Sequence, residues 1–217
     1  MEASAVVLAG KARFPMDAGP VKLLSLIADR GKRFIVPVYQ RPYSWDEEQC
    51  EQLWNDVLHV EHLRKSAHFM GSVVWIQEGT MGADGVTPAL IIDGQQRITT
   101  VNLFLAALAD YADNHQSQAN EFQFSCEKLT REYLIDFSRK GEGHYCLCLS
   151  QGDCDAYESI IRHLENSKAS IKGESRRLID NFHWFSHQLE GHEGPEQCVV
   201  WAQVPGGSVD LLDAGSG

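Results

Sequence analysis

One run in the chain has residue types suited to anion chemistry: Ile-Asp-Gly-Gln-Gln-Arg at residues 92–97, followed by Ile98, Thr99 and Thr100. The apolar stretch 89–92 reads as a strand, and Ile98, Val101, Leu105, Leu108 and Ala112 recur as one face of a long buried helix. Asp93 and Gly94 therefore occupy the bend between strand and helix. A helix start leaves backbone N–H groups without intrahelical partners, and these attract an anion such as phosphate. Gly94 permits close backbone approach, Gln95 and Gln96 offer neutral hydrogen-bonding groups, and Arg97 supplies a permanent charge with fork geometry. Thr99 and Thr100 add hydroxyls in the first turn. Asp93 is suited to holding a magnesium ion beside that phosphate, or to orienting an attacking water. The same spacing admits a plainer structural account: Asp93 caps the helix, Gly94 makes the turn, the glutamines are solvated and Arg97 pairs with a carboxylate. The glycine-lysine-serine pattern of a P-loop is not present, so spacing alone does not choose between the two.

A second run, Tyr39, Gln40, Arg41, Pro42, Tyr43, Ser44 and Trp45, lies just before a helix. Arg41 is placed to reach a phosphate or a nucleobase while an aromatic ring stacks on the base. Tyr43 and Trp45 also fit the commoner role of core or staple residues at a helix start. A third cluster, His144, Cys146, Cys148 and Cys154, lacks the paired C-x-x-C spacing of a zinc site. Cys146 and Cys148 would simply share one face of a strand, and no zinc is expected.

The elements that must position these residues are legible from periodicity. Residues 1–20 carry no period and read as a loose lead-in. Leu23, Leu24 and Ile27 share a helical stripe ended by Gly31, and a short strand follows at 34–37. Ser44 with Glu47 three positions later has the pattern of a capping box, which predicts a helix starting near Trp45 with Cys50, Leu53, Trp54 and Val57 inward. Residues 69–77 are apolar on both faces, as a central strand requires. Residues 78–88, with Gly79, Gly82, Gly85 and Pro88, read as a mobile flap. Beyond residue 114 come a polar linker, an edge-like strand at 145–149 and helices at 153–165 and 175–189. The expected organisation is an α/β unit at 21–113, a mainly helical extension at 114–204 and a disordered or truncated tail at 205–217.

Composition limits the function classes. The 217 residues include 19 basic and 30 acidic side chains, a net charge of -11, which opposes coating of nucleic acid by this chain alone. Any DNA contact is expected to be local or supplied by a partner. The densest basic stretch, Arg162, His163, Lys168, Lys172, Arg176 and Arg177, fits a solvated helix face better than a DNA footprint. No apolar run approaches membrane-spanning length and no signal pattern opens the chain. The expected setting is therefore the cytoplasm, with six reduced cysteines and no membrane association.

Three blocks together carry a family resemblance. VPVYQRPYSW at 36–45, HFMGSVVW at 68–75 and IIDGQQRITTVNLFLAAL at 91–108 resemble, in order and spacing, the hallmark segments of the N-terminal domain family of GmrSD-type restriction enzymes, a domain of unknown function numbered 262. The later LCLSQGDCDAYESII and RRLIDNFHWFSHQL are similar to its weaker downstream segments. The resemblance implies a ParB/sulfiredoxin-like small mixed sheet with packed helices, followed by a mostly helical portion. It also implies that the DGQQR signature serves binding and hydrolysis of GTP or another nucleoside triphosphate with Mg2+, in a system that restricts phage DNA. Carried over by position, Asp93, Gln95, Gln96 and Arg97 are the catalytic candidates, with Asp93 also the magnesium ligand. Tyr39, Gln40, Arg41, Trp45, Gly94, Thr99 and Thr100 are the nucleotide-binding candidates. Met70 and Ile98 replace the family's usual leucines conservatively. No His-Asn-His arrangement follows Leu189, so DNA cleavage by this chain alone is not expected. A separate HNH nuclease subunit, or a truncated chain, is the expectation that follows. Two alternatives stand beside NTP hydrolysis: a non-catalytic DNA- or partner-sensing module, and an inactive fragment.

Overall fold

The computed structural model describes residues 4–7, 17–62, 70–77, 85–116, 125–139, 144–166 and 169–191. They form a mixed α/β fold. Strands β1 (Ser4–Val7) and β2 (Asp17–Pro20) precede helix α1 (Leu23–Ile27) and strand β3 (Lys32–Ile35). Helix α2 (Glu47–His62), strands β4 (Val73–Gln77) and β5 (Thr87–Asp93) and the long helix α3 (Gln95–Asn114) follow. The short helix α4 (Cys126–Leu129) runs into a π-turn at Thr130–Leu134, after which come β6 (Leu147–Cys148), α5 (Gln151–Glu165) and α6 (Arg176–Gly191).

The described strands make one six-stranded sheet in the order β2-β1-β4-β5-β3-β6. β1 lies parallel to β4 and antiparallel to β2, β4 lies antiparallel to β5, and β3 lies parallel to both β5 and β6. Two stretches of the segment read as a lead-in are thus paired strands. The sequence signal is weak because each is four residues long, and β2 itself carries Gly19 and Pro20, residues that strands usually lack. The apolar run expected to be a central strand is central, with β4 held between β1 and β5. The edge-like reading of 145–149 also holds, since among the described strands β6 pairs with β3 alone.

The core is one hydrophobic cluster that reaches from Leu23 and Phe34 through Ile91, Ile98 and Phe104 to Leu178, Phe182 and Phe185. α3 is its axis: most of its residues are buried, and it packs against α4, α5 and α6. An aromatic chain ties α2 to α6 across it, with edge-on contacts Trp54–Phe104 at 6.2 Å and Phe104–Phe185 at 5.5 Å. The helices of the second half therefore share the core of the first half, and this lets them reach the site described next.

α2 starts two residues later than Ser44 would predict. Asp46 is the capping residue: its carboxylate accepts from the Glu48 N–H, its carbonyl accepts the first helical bond from Cys50, and Gln49 reaches back to its N–H at 2.9 Å. Ser44 cannot cap because its backbone belongs to a loop held elsewhere. Among the basic stretch, the exposed Arg162 pairs with Glu158 on α5 and the exposed Arg177 of α6 with Asp46, while the half-buried His163 contacts Asp110. Lys168, residues 78–84 of the expected flap and the 205–217 tail lie outside the described residues.

Candidate functional site

The strand-to-helix bend is shaped by a bulge. Val74 faces Asp93 but Trp75 faces Ile91, so Ile92 has no partner of its own across the ladder. Its carbonyl is taken instead by the Gln40 side-chain amide at 3.0 Å, which ties the loop of residues 36–46 to the end of β5. Gly94 follows at φ 88, in the left-handed region, and sits so close to β4 that a Cβ would meet Ser72 O and Val73 at 3.0 Å. Ile98 N–H donates to Gly94 O at 3.0 Å as the first bond of α3. The N–H groups of Gln95, Gln96 and Arg97 stand ahead of it, and no side chain caps them.

A cavity of about 470 Å³ opens onto this helix start, lined by Gln40, Arg41, Trp45, Ser72, Ile92 and the run Asp93 to Arg97. Two arginines against one aspartate make its wall locally positive in a chain of net charge -11. Arg97 is half-buried, and its guanidinium donates to Ser72 O at 2.8 Å. Burial lowers its pKa and the charge of Asp93 opposes that shift. None of the ion pairs among the described residues includes Arg97. A partly dehydrated guanidinium that remains charged is a favourable place for an anion.

Gln95 is 7% exposed. Its amide nitrogen donates to Arg41 O at 3.0 Å, while its Oε1 is buried without any partner. A buried acceptor left unmade costs about 1–3 kcal/mol, so this atom favours any ligand that brings a donor or a cation. Asp93 is exposed at the cavity wall close by. Among the described residues, no three His, Cys, Asp or Glu side chains gather to hold a metal ion.

Gln96 does something else. Its Oε1 accepts from Ser44 N–H at 2.8 Å and Trp45 N–H at 3.3 Å, and its Nε2 donates to Pro42 O at 3.2 Å. Both ends of the amide hold the preceding loop in place. Three further groups complete the clamp. Asp153 of α5 accepts from Tyr43 N–H at 2.7 Å, Asn181 of α6 donates to Tyr43 Oη and Trp45 O, and Thr100 bonds Tyr43 Oη at 2.7 Å. Tyr43 is buried, and burial drives its hydroxyl pKa well up.

The predicted residues divide accordingly. Gln40, Arg41, Trp45, Asp93, Gly94, Gln95, Gln96 and Arg97 come together around one cavity. Tyr39 does not line it and stands 70% exposed with Val38 at 82%. Thr99 and Thr100 are buried in α3; Thr100 returns its hydroxyl to Gln96 O at 2.8 Å, as helical threonines commonly do. Of the plain structural account only the Gly94 turn survives: no side chain caps α3, the glutamines are buried, and Arg97 bonds a carbonyl. The sequence reading passed over Ser72, Asp153 and Asn181. The last two were signalled faintly, as polar positions on otherwise apolar helical faces of the downstream segments. Among the cysteine-histidine cluster, Cys146 Sγ accepts from Arg30, Cys148 Sγ accepts from Arg33, Cys154 Sγ donates to Glu158, and His144 contacts Glu165.

The sequence matches the family described as GmrSD restriction endonuclease, N-terminal domain, over residues 23–208. The chain belongs to that family. The matched span takes in the clamp, the cavity and the helices that carry Asp153 and Asn181. No curated protein matches the chain significantly in sequence. No helix among the described residues is long and apolar enough to cross a membrane.

Proposed function

We propose that this family member binds and hydrolyses a nucleoside triphosphate, as the regulatory domain of a DNA-restriction system directed against phage. The observation that carries the reading is the pairing, at one helix start, of a partly dehydrated Arg97 with a buried Gln95 Oε1 that has no partner. The first favours phosphate oxygens. The second favours a hydroxyl, a water or a cation carried with them.

The exposed Asp93 carboxylate on the cavity wall fits magnesium, which usually takes only one or two protein oxygens, the rest of its shell coming from water and phosphate. Magnesium bound there supplies charge neutralisation on the phosphates. Arg97 and Arg41 compensate the charge that develops on the phosphoryl oxygens, the three leading amides of α3 orient them, and Asp93 also lies within the cavity to order an attacking water. Gln96 acts indirectly, as a positioning residue that fixes the Arg41 and Trp45 loop.

The test is turnover. Purified protein with Mg2+ releases phosphate from at least one of the four common NTPs, and Asp93→Ala lowers the rate by about a hundredfold or more. Equal turnover by Asp93→Ala refutes the assignment. A second reading, a DNA- or partner-sensing module without turnover, draws on the exposed Val38 and Tyr39 beside Arg41. Salt-sensitive DNA binding that is lost in Arg41→Ala and indifferent to nucleotide would favour it over hydrolysis.

A further inference from the structure

A second cavity of about 250 Å³ adjoins the first, and Trp45 and Arg97 line both. Its far wall is one face of α2, where Gln49, Gln52 and Asp56 follow at helical spacing, with Met70 also lining it. We infer that this cavity receives the planar base of the nucleotide whose phosphates occupy the first. The inference rests on the NTP reading above and adds to it where, and by what chemistry, the base is held.

The polarity of the two cavities sets the direction of the ligand. Arg41, Arg97 and the leading amides of α3 surround the first. Around the second, Asp56 of α2 is the acidic side chain on the wall, while Glu47, Glu48 and Glu51 belong to the same helix without lining the cavity. A triphosphate is repelled from the acidic helix and drawn to the arginines, whereas a neutral ring has no such preference and takes the remaining space. The wall itself suits a ring. Trp45 and Met70 give aromatic and polarisable surface, and the edges are polar. Gln49 spends its Oε1 on the Asp46 N–H and keeps its amide hydrogens, while the Gln52 amide is engaged by nothing among the described residues. Side-chain amides of this kind pair with donor or acceptor edges of a base.

Gly71 makes the junction feasible. At φ 92 it runs beside the Arg97 guanidinium, where a Cβ would lie 2.5 Å from Nη2, so Arg97 can lie along the boundary between the two spaces. One cation thus lines both the phosphate side and the base side.

The experiment is calorimetric titration of the full chain with inorganic triphosphate and with each of the four NTPs, all with Mg2+. It uses wild type and the cavity-filling, uncharged variants Gln52→Trp and Gln52→Phe. Gln52 is exposed on α2, so both variants fold, and a thermal melt confirms it. Wild type binds the best NTP at least about fivefold tighter than inorganic triphosphate, the increment of one stacked base. Both variants bring NTP affinity down to the triphosphate value and leave triphosphate affinity unchanged. NTP affinity that survives both fillings, or wild-type NTP binding no tighter than triphosphate, overturns the base site while sparing the phosphate site. Failure of wild type to bind either ligand instead overturns the NTP reading itself.

Discussion

Replacing Gln96 tests the proposition that this residue of the signature run holds a loop rather than touching a ligand. Gln96→Met keeps the volume and removes three hydrogen bonds, those to Ser44 N–H at 2.8 Å, Trp45 N–H at 3.3 Å and Pro42 O at 3.2 Å. A typical net contribution is about 0.5–1.5 kcal/mol per bond. Two of the three are long and Ser44 and Pro42 are exposed enough for water to replace Gln96, so the lower half of that range applies. The expected loss is about 2 kcal/mol, or roughly 4–8 °C in Tm for a chain of this size. Gln96→Ala loses packing as well, by about 0.8 kcal/mol for a buried methylene. Urea unfolding followed by tryptophan fluorescence measures both. Because Arg41 and Trp45 move with the loop, ligand affinity should fall in step with stability, and any turnover at saturating substrate should change little. A loss below about 0.5 kcal/mol, or a collapse of kcat with Kd and stability intact, refutes the reasoning and returns Gln96 to the chemistry.

Gly71→Ala forces a Cβ into the Arg97 guanidinium and a side chain onto a left-handed backbone. The expected cost is about 1–2 kcal/mol of stability together with about tenfold weaker binding of triphosphate, read by melt and titration. Asp153→Ala leaves the buried Tyr43 N–H without its acceptor and should cost about 1–3 kcal/mol, whereas Asp153→Asn, which can still accept, should cost clearly less. Burial pushes the Cys50 thiol up to about 12, and burial assisted by Glu158 pushes Cys154 up to about 12. Both values lie above the roughly 8.5 of an unfolded cysteine, so the folded state keeps the thiols neutral. Their contribution is fully present below about pH 8.5 and is lost progressively as pH rises toward the folded value. The urea midpoint should therefore fall between about pH 8.5 and pH 10.5, and the slope should flatten in Cys50→Ser and Cys154→Ser.

Periodicity made most of this fold legible. The inward stripe of α2, the buried axis α3 and the central position of β4 follow from residues that alternate or recur with the right period, and each was correctly read. Local polar chemistry was less legible because it depends on who arrives from elsewhere. Ser44 looked like a cap until Gln96, 52 positions away, took its N–H, which passed the capping to Asp46. Residue type and spacing treat Gln95 and Gln96 alike, yet one buries an acceptor without a partner and the other spends both ends on the loop. Thr99 and Thr100 stood at the right distance in sequence, but α3 is so enclosed that its first turn buries them. Asp153 and Asn181 reach Tyr43 across 110 and 138 positions, a contact no local pattern encodes. The family resemblance grouped the right segments; which side chains face the cavity was settled by packing.

The central claim, that the Asp93 to Arg97 bend holds a triphosphate, is tested most directly by titrating the full chain with NTP and Mg2+, comparing wild type with Arg97→Gln at two salt concentrations. The expected result is that Arg97→Gln weakens affinity by about tenfold or more and flattens its salt dependence. Unaltered affinity and an unaltered salt slope in Arg97→Gln would place the ligand elsewhere on the molecule and contradict the account.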